Sequence, residues 1–385
     1  MAKIPFNLPP NASCEREYVG RVLRSRRLGG GGEFTRACEV WLEQATGVHC
    51  AILVHSCTAA LEMAAILAEV GPDDEVIMPS FTFPSTATAF VLRGATPVFV
   101  DIREDTLGID EAEIEPAITG RTKAIVPVHY AGVGCDMNAI MELANSRHLL
   151  VIEDAAQALC SSRAGRPLGS YAQLATLSFH ESKNITCGEG GALLINDPSY
   201  AERAEIIRDK GTDRQKFFAG QVDKYTWVDL GSSYAPSELV SALLLAQLED
   251  AVAITARRFA AWSRYHEMLA DLELAGSLRR PVIPAAAEHN GHIYYVLLPS
   301  RELRDHALAR FAELEIGATF HYVPLHTAHA GRRYGRVAGP LHKTEELSSR
   351  LIRLPLYADI TPDQQMRVMD VLASISGKQP ALRRT

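Results

Sequence analysis

Hydrophobic positions along the chain follow two regimes. From about residue 48 to 200, short β-branched runs alternate with amphipathic stretches, the pattern of strand-crossover-strand units around a mainly parallel sheet. It predicts strands over Glu75 to Met78, Pro97 to Ile102, Ala124 to Val128, Leu149 to Glu153, Ala175 to Phe179 and Ala192 to Asn196. Helices are predicted over Thr58 to Val70, Ser85 to Arg93, Asp110 to Ile118 and Met137 to His148, each beside a Gly, Pro, Asp or Thr that can punctuate a boundary. A longer, weakly interrupted helical period runs from Ser237 to about Leu272 and meets a break at Pro281 and Pro284. The expectation is an α/β protein with a large parallel-sheet domain over residues 1–250 and a smaller C-terminal α/β domain over 251–385.

Composition narrows the function. With 385 residues, 47% of them hydrophobic, the chain can bury a large core and still form a deep cleft, which suits an enzyme. Its 39 basic and 46 acidic side chains leave a net charge of −7, which argues against a nucleic-acid partner. The short run Arg24, Arg26 and Arg27 reads as a solvated helix face. Seven dispersed cysteines without a C-x-x-C pair read as reduced thiols, so neither a metal site nor a disulfide framework is expected. No run approaches the roughly 18 apolar residues of a membrane span, and the N-terminal residues lack an apolar stretch of signal-peptide length. The expectation is a cytoplasmic protein with no membrane partner.

Four features carry chemistry, and each also has a plain structural explanation. At His55-Ser56-Cys57-Thr58-Ala59 an apolar run ends in small polar residues that open a helix, where free N–H groups can hold a phosphate; a simple N-cap would look the same. At Leu149 to Gln157 a buried-strand pattern runs into Glu153 and Asp154, at the strand end where open α/β sheets place ligands; a helix-capping Asp is the alternative. At Thr176 to Asn184 a strand is followed by Lys183 in a turn, which alone would be a solvated lysine, but Gly188-Glu189-Gly190-Gly191 supplies backbone that can approach a ligand. At Pro79 to Ser85 two phenylalanines end a strand, one able to offer a flat face to a ring and the other to pack in the core.

A phosphate cradle, a carboxylate, an aromatic platform and a lysine are the four partners that pyridoxal 5′-phosphate requires for its phosphate, ring nitrogen, ring face and aldehyde. Their occurrence together, with Lys183 29 positions after Asp154, is far more specific than any one alone.

The stretches SCTAALEMA, DEVIMPSFTF, GATPVFVDI, TKAIVPVHYAG, VIEDAAQA, SFHESKN and GEGGALLIND occur in one order. In this the chain resembles the DegT/DnrJ/EryC1/StrS family of nucleotide-sugar aminotransferases, from about Pro5 to Pro362. The resemblance implies the PLP-dependent transferase fold of the aspartate aminotransferase superfamily (fold type I). It also implies Lys183 as the Schiff-base lysine, Asp154 on the pyridine nitrogen, Gln157 near the ring hydroxyl and Phe83 as the stacking ring. Cys57 and Thr58 would supply phosphate-binding backbone, and Ser178 a phosphate-binding hydroxyl. Many members carry G-Y-N-Y-R, whose Asn reaches the partner subunit's phosphate. This chain reads Gly231-Ser232-Ser233-Tyr234-Ala235, so Ser233 would stand for the Asn and the arginine is missing. A homodimer with shared active sites is implied. The less widespread stretches Gly220 to Trp227 and Phe320 to His326 narrow the expectation further, to transfer from glutamate to C4 of a dTDP-ketosugar, as in enterobacterial common antigen synthesis. His321 and His326 are candidate sugar contacts, with ordinary loop packing equally open.

Overall fold

The structure is a computed structural model, and it describes residues 3–218 and 220–375. Two helices open the chain, α1 (Glu15–Ser25) and α2 (Glu33–Thr46). The strands that follow are β1 (Cys50–Val54), β2 (Glu75–Pro79), β3 (Thr96–Val100), β4 (Thr122–Ile125), β5 (Leu150–Asp154), β6 (Ser162–Arg163), β7 (Arg166–Pro167), β8 (Leu174–Ser178) and β9 (Gly191–Ile195). Later come β10 (Ala287–Glu288), β11 (Tyr295–Leu297), β12 (Arg336–Val337) and β13 (Leu351–Arg353). Eight of them form one sheet in the order β1-β9-β8-β5-β4-β2-β3-β12. Only β9 runs against its neighbours, because the segment that joins it to β8 is a returning loop and not a helical crossover.

Both faces of this sheet are covered, so β2 and β9 are buried along their whole length. Alternation sends Val76 and Met78 into one core and Ile77 into another across the sheet. Helices α3 (Cys57–Leu67) and α4 (Pro84–Val91) follow β1 and β2, and a third spans Met137–Ser146. The six predicted strands all form, with ends moved by at most three residues. The predicted helix over Asp110 to Ile118 is instead a 3-10 turn, Glu111–Glu113, and a single α-turn, Ile114–Ala117. Pro116 has no N–H for the ladder of a longer helix.

The long helical period is likewise interrupted. Glu238–Glu249 ends at Asp250, and Ala251–Met268 leaves in a new direction. The Asp250 carboxylate accepts from the Ser13 N–H at 2.8 Å, while Gln247 donates to the Pro10 carbonyl at 2.8 Å, so the N-terminal arm is bound at the bend. Among the described residues no single helix is long and apolar enough to cross a membrane, although this bent pair passes such a test jointly.

A separate core collects Trp262, Tyr265, Val296, Phe311, Ile352 and Val368. Ile4 belongs to it, its N–H donating to Glu315 and its carbonyl accepting from Gly317. In the other direction β12 returns to the edge of the main sheet, where Arg336 donates to the buried Glu75 carboxylate at 2.7 and 2.9 Å.

Candidate active site

The sheet brings the ends of β1, β5 and β8 to one edge, and three chemical groups arrive with them. Asp154, the last residue of β5, is buried. Its Oδ2 accepts from the Thr86 hydroxyl at 2.7 Å and its Oδ1 from the Ala156 N–H at 3.2 Å. Thr86 is in turn 2.8 Å from the Thr82 hydroxyl. A buried carboxylate is tolerable only with such donors, and these two fix its orientation.

Lys183 stands in the loop between β8 and β9, which is closed by hydrogen bonds from Phe179 to Gly190 and from Glu181 to Gly188, each 2.8 Å. Gly188 takes φ 86°, a conformation that side chains disfavour. Next to the lysine, Asn184 donates to the Asn290 carbonyl at 2.8 Å and its Oδ1 lies 2.9 Å from Nδ1 of His292. The loop is therefore anchored from the far end of the chain. Burial holds the Lys183 ammonium below the usual lysine range; Arg353 adds to that depression, while Cys57 and Asp154 oppose it.

The third group is the N-terminus of α3. Ser56 caps it, accepting from the Ala59 N–H at 3.1 Å. No acceptor among the described residues takes the Cys57 or Thr58 N–H, so two donors at the positive end of an 11-residue helix stay available to an anion. Gly191 lies against this turn; a Cβ there would come within 2.4 Å of the Cys57 nitrogen. Burial, with the Asp154 charge, pushes the Cys57 thiol up to about 12, so it is a thiol and not a thiolate near neutral pH.

These groups share one cavity of about 710 Å³. Of the residues singled out in the sequence, Cys57, Thr58, Phe83, Asp154, Gln157, Ser178, Lys183 and His321 line it. Phe83 is 58% exposed and lines the cavity, whereas Phe81 is 1% exposed and belongs to the core. Gln157 accepts from the Ala131 N–H at 2.7 Å and donates to the Tyr322 hydroxyl at 2.9 Å. His321 stacks on Tyr322 with ring centroids 3.6 Å apart, and its Nδ1 is 2.8 Å from the Tyr130 hydroxyl. Burial, with the nearby Arg353 and Lys183 charges, holds that imidazole well below its usual pKa, hence neutral.

Two expected residues are not brought in. His326 does not line the cavity: its Nδ1 is 2.7 Å from the Ser80 hydroxyl and its Nε2 3.1 Å from Glu345, which ties its loop to the end of β2. Ser233 is exposed, bridged through its backbone to Asp209, and is not among this chain's lining residues.

Sequence reasoning missed Thr86, Tyr322, His292 and Arg353, all of which line the cavity. Thr86 directly follows the Pro79 to Ser85 stretch, and Tyr322 lies within Phe320 to His326. Tyr322 also takes φ 43°, a strained conformation for a bulky residue at a functional site. His292 and Arg353 lie in no recognisable motif and reach the site only through folding.

Two free N–H groups for a phosphate, a buried carboxylate for a ring nitrogen, an exposed ring for stacking and a buried amine for an aldehyde fit pyridoxal phosphate. Fold and site together define a pyridoxal-phosphate-dependent aminotransferase. A sequence model of the DegT/DnrJ/EryC1/StrS aminotransferase family matches residues 11–373, and the chain belongs to that family. Among solved structures, Spr1654 from Streptococcus pneumoniae, classed as a sugar aminotransferase, is 27% identical in a PMP-form, with a TM-score of 0.90 over 98% of each chain. It has also been solved in a PLP-form. DesV from S. venezuelae is 30% identical over 98% of this chain and 100% of its own, with a TM-score of 0.87. PseC from Helicobacter pylori, an aminotransferase of pseudoaminic acid biosynthesis, is 25% identical with the same coverage and a TM-score of 0.88.

Proposed function

We propose that this protein is a nucleotide-sugar aminotransferase that moves the amino group of L-glutamate to C4 of dTDP-4-dehydro-6-deoxy-D-glucose, giving dTDP-4-amino-4,6-dideoxy-D-galactose and 2-oxoglutarate. One observation carries the reaction type: the Lys183 amine and the Asp154 carboxylate face a single cavity beside a helix turn with two free N–H groups. When bound, the cofactor supplies an aldehyde that captures amines and a ring that accepts the electrons of a bond broken at the amine carbon.

The chain's own residues do the rest. The Cys57 and Thr58 N–H groups and the Ser178 hydroxyl would hold the phosphate; Asp154, oriented by Thr86, would keep the ring nitrogen protonated; Phe83 would cover a ring face and Gln157 would adjoin the ring hydroxyl. Lys183 would anchor the aldehyde, and its free amine, held below the usual lysine range by burial, would carry the proton to or from the donor's α-carbon. The segment Phe320 to Val323 lines the cavity and supports a sugar contact through His321. A homodimer in which Ser233 serves the partner's phosphate completes the reading.

Purified protein incubated with this ketosugar, glutamate and pyridoxal phosphate is expected to form the C4 amino sugar of galacto configuration by mass spectrometry and NMR. Turnover of a 3-ketosugar with no product from the 4-ketosugar would overturn the position of transfer. A gluco product would overturn the stereochemistry alone.

A further inference from the structure

His321 and Tyr322 are consecutive, yet both side chains line the cavity. In an extended segment they would point to opposite sides. The positive φ of Tyr322, 43°, departs from that geometry, and the two rings stack with centroids 3.6 Å apart. Gln157 holds the Tyr322 hydroxyl at 2.9 Å. The stacked imidazole is gripped from a second side: its Nδ1 lies 2.8 Å from the hydroxyl of Tyr130, a residue 1% exposed and packed against the Phe81 and Tyr295 rings. Tyr130 is not among the residues that line the cavity.

Counting donors fixes which atom of His321 holds the proton. A buried phenol gives its hydrogen to an acceptor, and burial keeps this phenol protonated by holding it well above the usual tyrosine range. Among the described residues the Tyr130 hydroxyl has one acceptor, Nδ1 of His321, so Nδ1 carries a lone pair. The imidazole is neutral, held so by burial and by the Arg353 and Lys183 charges. Its one proton therefore sits on Nε2, which makes no hydrogen bond to the described residues. Lys183, near enough to act on this ring, marks where the transferred nitrogen must sit. We infer that Tyr130 is a positioning residue that fixes His321 as an Nε2–H donor to a hydroxyl or carbonyl oxygen of the acceptor sugar, beside the carbon that gains the nitrogen. This deepens the proposed sugar contact and rests on the aminotransferase reading for the ligand's identity. As a neutral donor, His321 would bind the sugar and leave proton transfer to Lys183.

The test has a spectroscopic arm and a kinetic arm. In holoenzyme whose histidines are isotopically labelled at the ring nitrogens, NMR of those nitrogens, with His321→Gln to assign the signal, should show His321 neutral with its proton on Nε2 alone. A proton on Nδ1, or a doubly protonated ring at neutral pH, would overturn the inference whatever the substrate. Tyr130→Phe should admit the second tautomer and raise KM for the ketosugar about threefold to tenfold, the usual effect of one neutral hydrogen bond. The glutamate half-reaction, followed by the cofactor's absorbance, should stay within about twofold. Both half-reactions weakened alike would make Tyr130 merely structural, and an unchanged tautomer with an unchanged KM would remove it from the site. If Tyr130→Phe does not fold, His321→Gln and His321→Leu decide. The amide N–H of glutamine should keep the sugar KM nearer the wild-type value than leucine does, and equal KM values would contradict a donor role. A wild type with the expected tautomer that transfers no amino group to the ketosugar would sink the proposed reaction and leave the Tyr130–His321 assignment standing.

Discussion

Single side chains set the chemistry here through their neighbours. Asp154 is aimed by the Thr86 hydroxyl, so Thr86→Val should weaken pyridoxal phosphate binding about tenfold, the loss of one hydrogen bond to a charged acceptor; cofactor dissociation followed by absorbance measures it, and an unchanged constant would remove Thr86 from the account. Lys183 titrates below the usual lysine range, chiefly through burial. In the cofactor-free protein the charged amine therefore costs stability, a cost that fades as pH rises from the folded value towards the ordinary one. Capture of pyridoxal phosphate should rise as pH passes up through the folded value, where the amine becomes neutral, and Arg353→Gln, which removes a positive neighbour, should move that profile to higher pH. An unmoved profile would contradict the coupling. At this scale Asp154 and Lys183 were legible in the sequence, because an acid ending a buried strand and a lysine before a glycine-rich turn are local signals. Arg353 was not, since a lone arginine acquires meaning only from the cavity that folding places around it.

Elements bring these groups together, and their junctions explain both the successes and the failures of the sequence pattern. β9 must pass directly under the first turn of α3, and Gly191 makes that approach possible. Gly191→Ala is expected to cost about 2 kcal/mol of stability through overpacking and to weaken cofactor binding, whereas Gly120→Ala, where a Cβ meets nothing within 4 Å, should change neither. Chemical denaturation of both variants checks this, and equal stabilities would show that the turn relaxes freely. The buried strands were readable because they are continuous apolar runs. The bend at Asp250 was not, because the arm that binds it comes from residues near the N-terminus, far away in sequence. Pro116, by contrast, was a visible breaker whose weight the amphipathic pattern concealed.

On the scale of the whole molecule, the C-terminal part is tied back to the main sheet through the Glu75–Arg336 pair. The Arg336 guanidinium, chiefly by hydrogen bonding, holds the Glu75 carboxyl below the usual range despite burial. Its stabilisation is therefore complete above the ordinary glutamate value and is lost as pH falls through the lowered one. Arg336→Ala, which removes the bidentate partner of a buried carboxylate that keeps Arg121 and Thr119, should cost about 2 kcal/mol at neutral pH, and the deficit should shrink in strong acid. A deficit that does not change with pH would place the effect in packing and not in the charge pair.

Lys183 is the centre on which the site and the proposed reaction converge. Reduction of the reconstituted holoenzyme with borohydride, followed by peptide mapping, tests it most directly. The cofactor should be found fixed to Lys183 alone; attachment at any other residue, or none in fully reconstituted protein, would contradict the account.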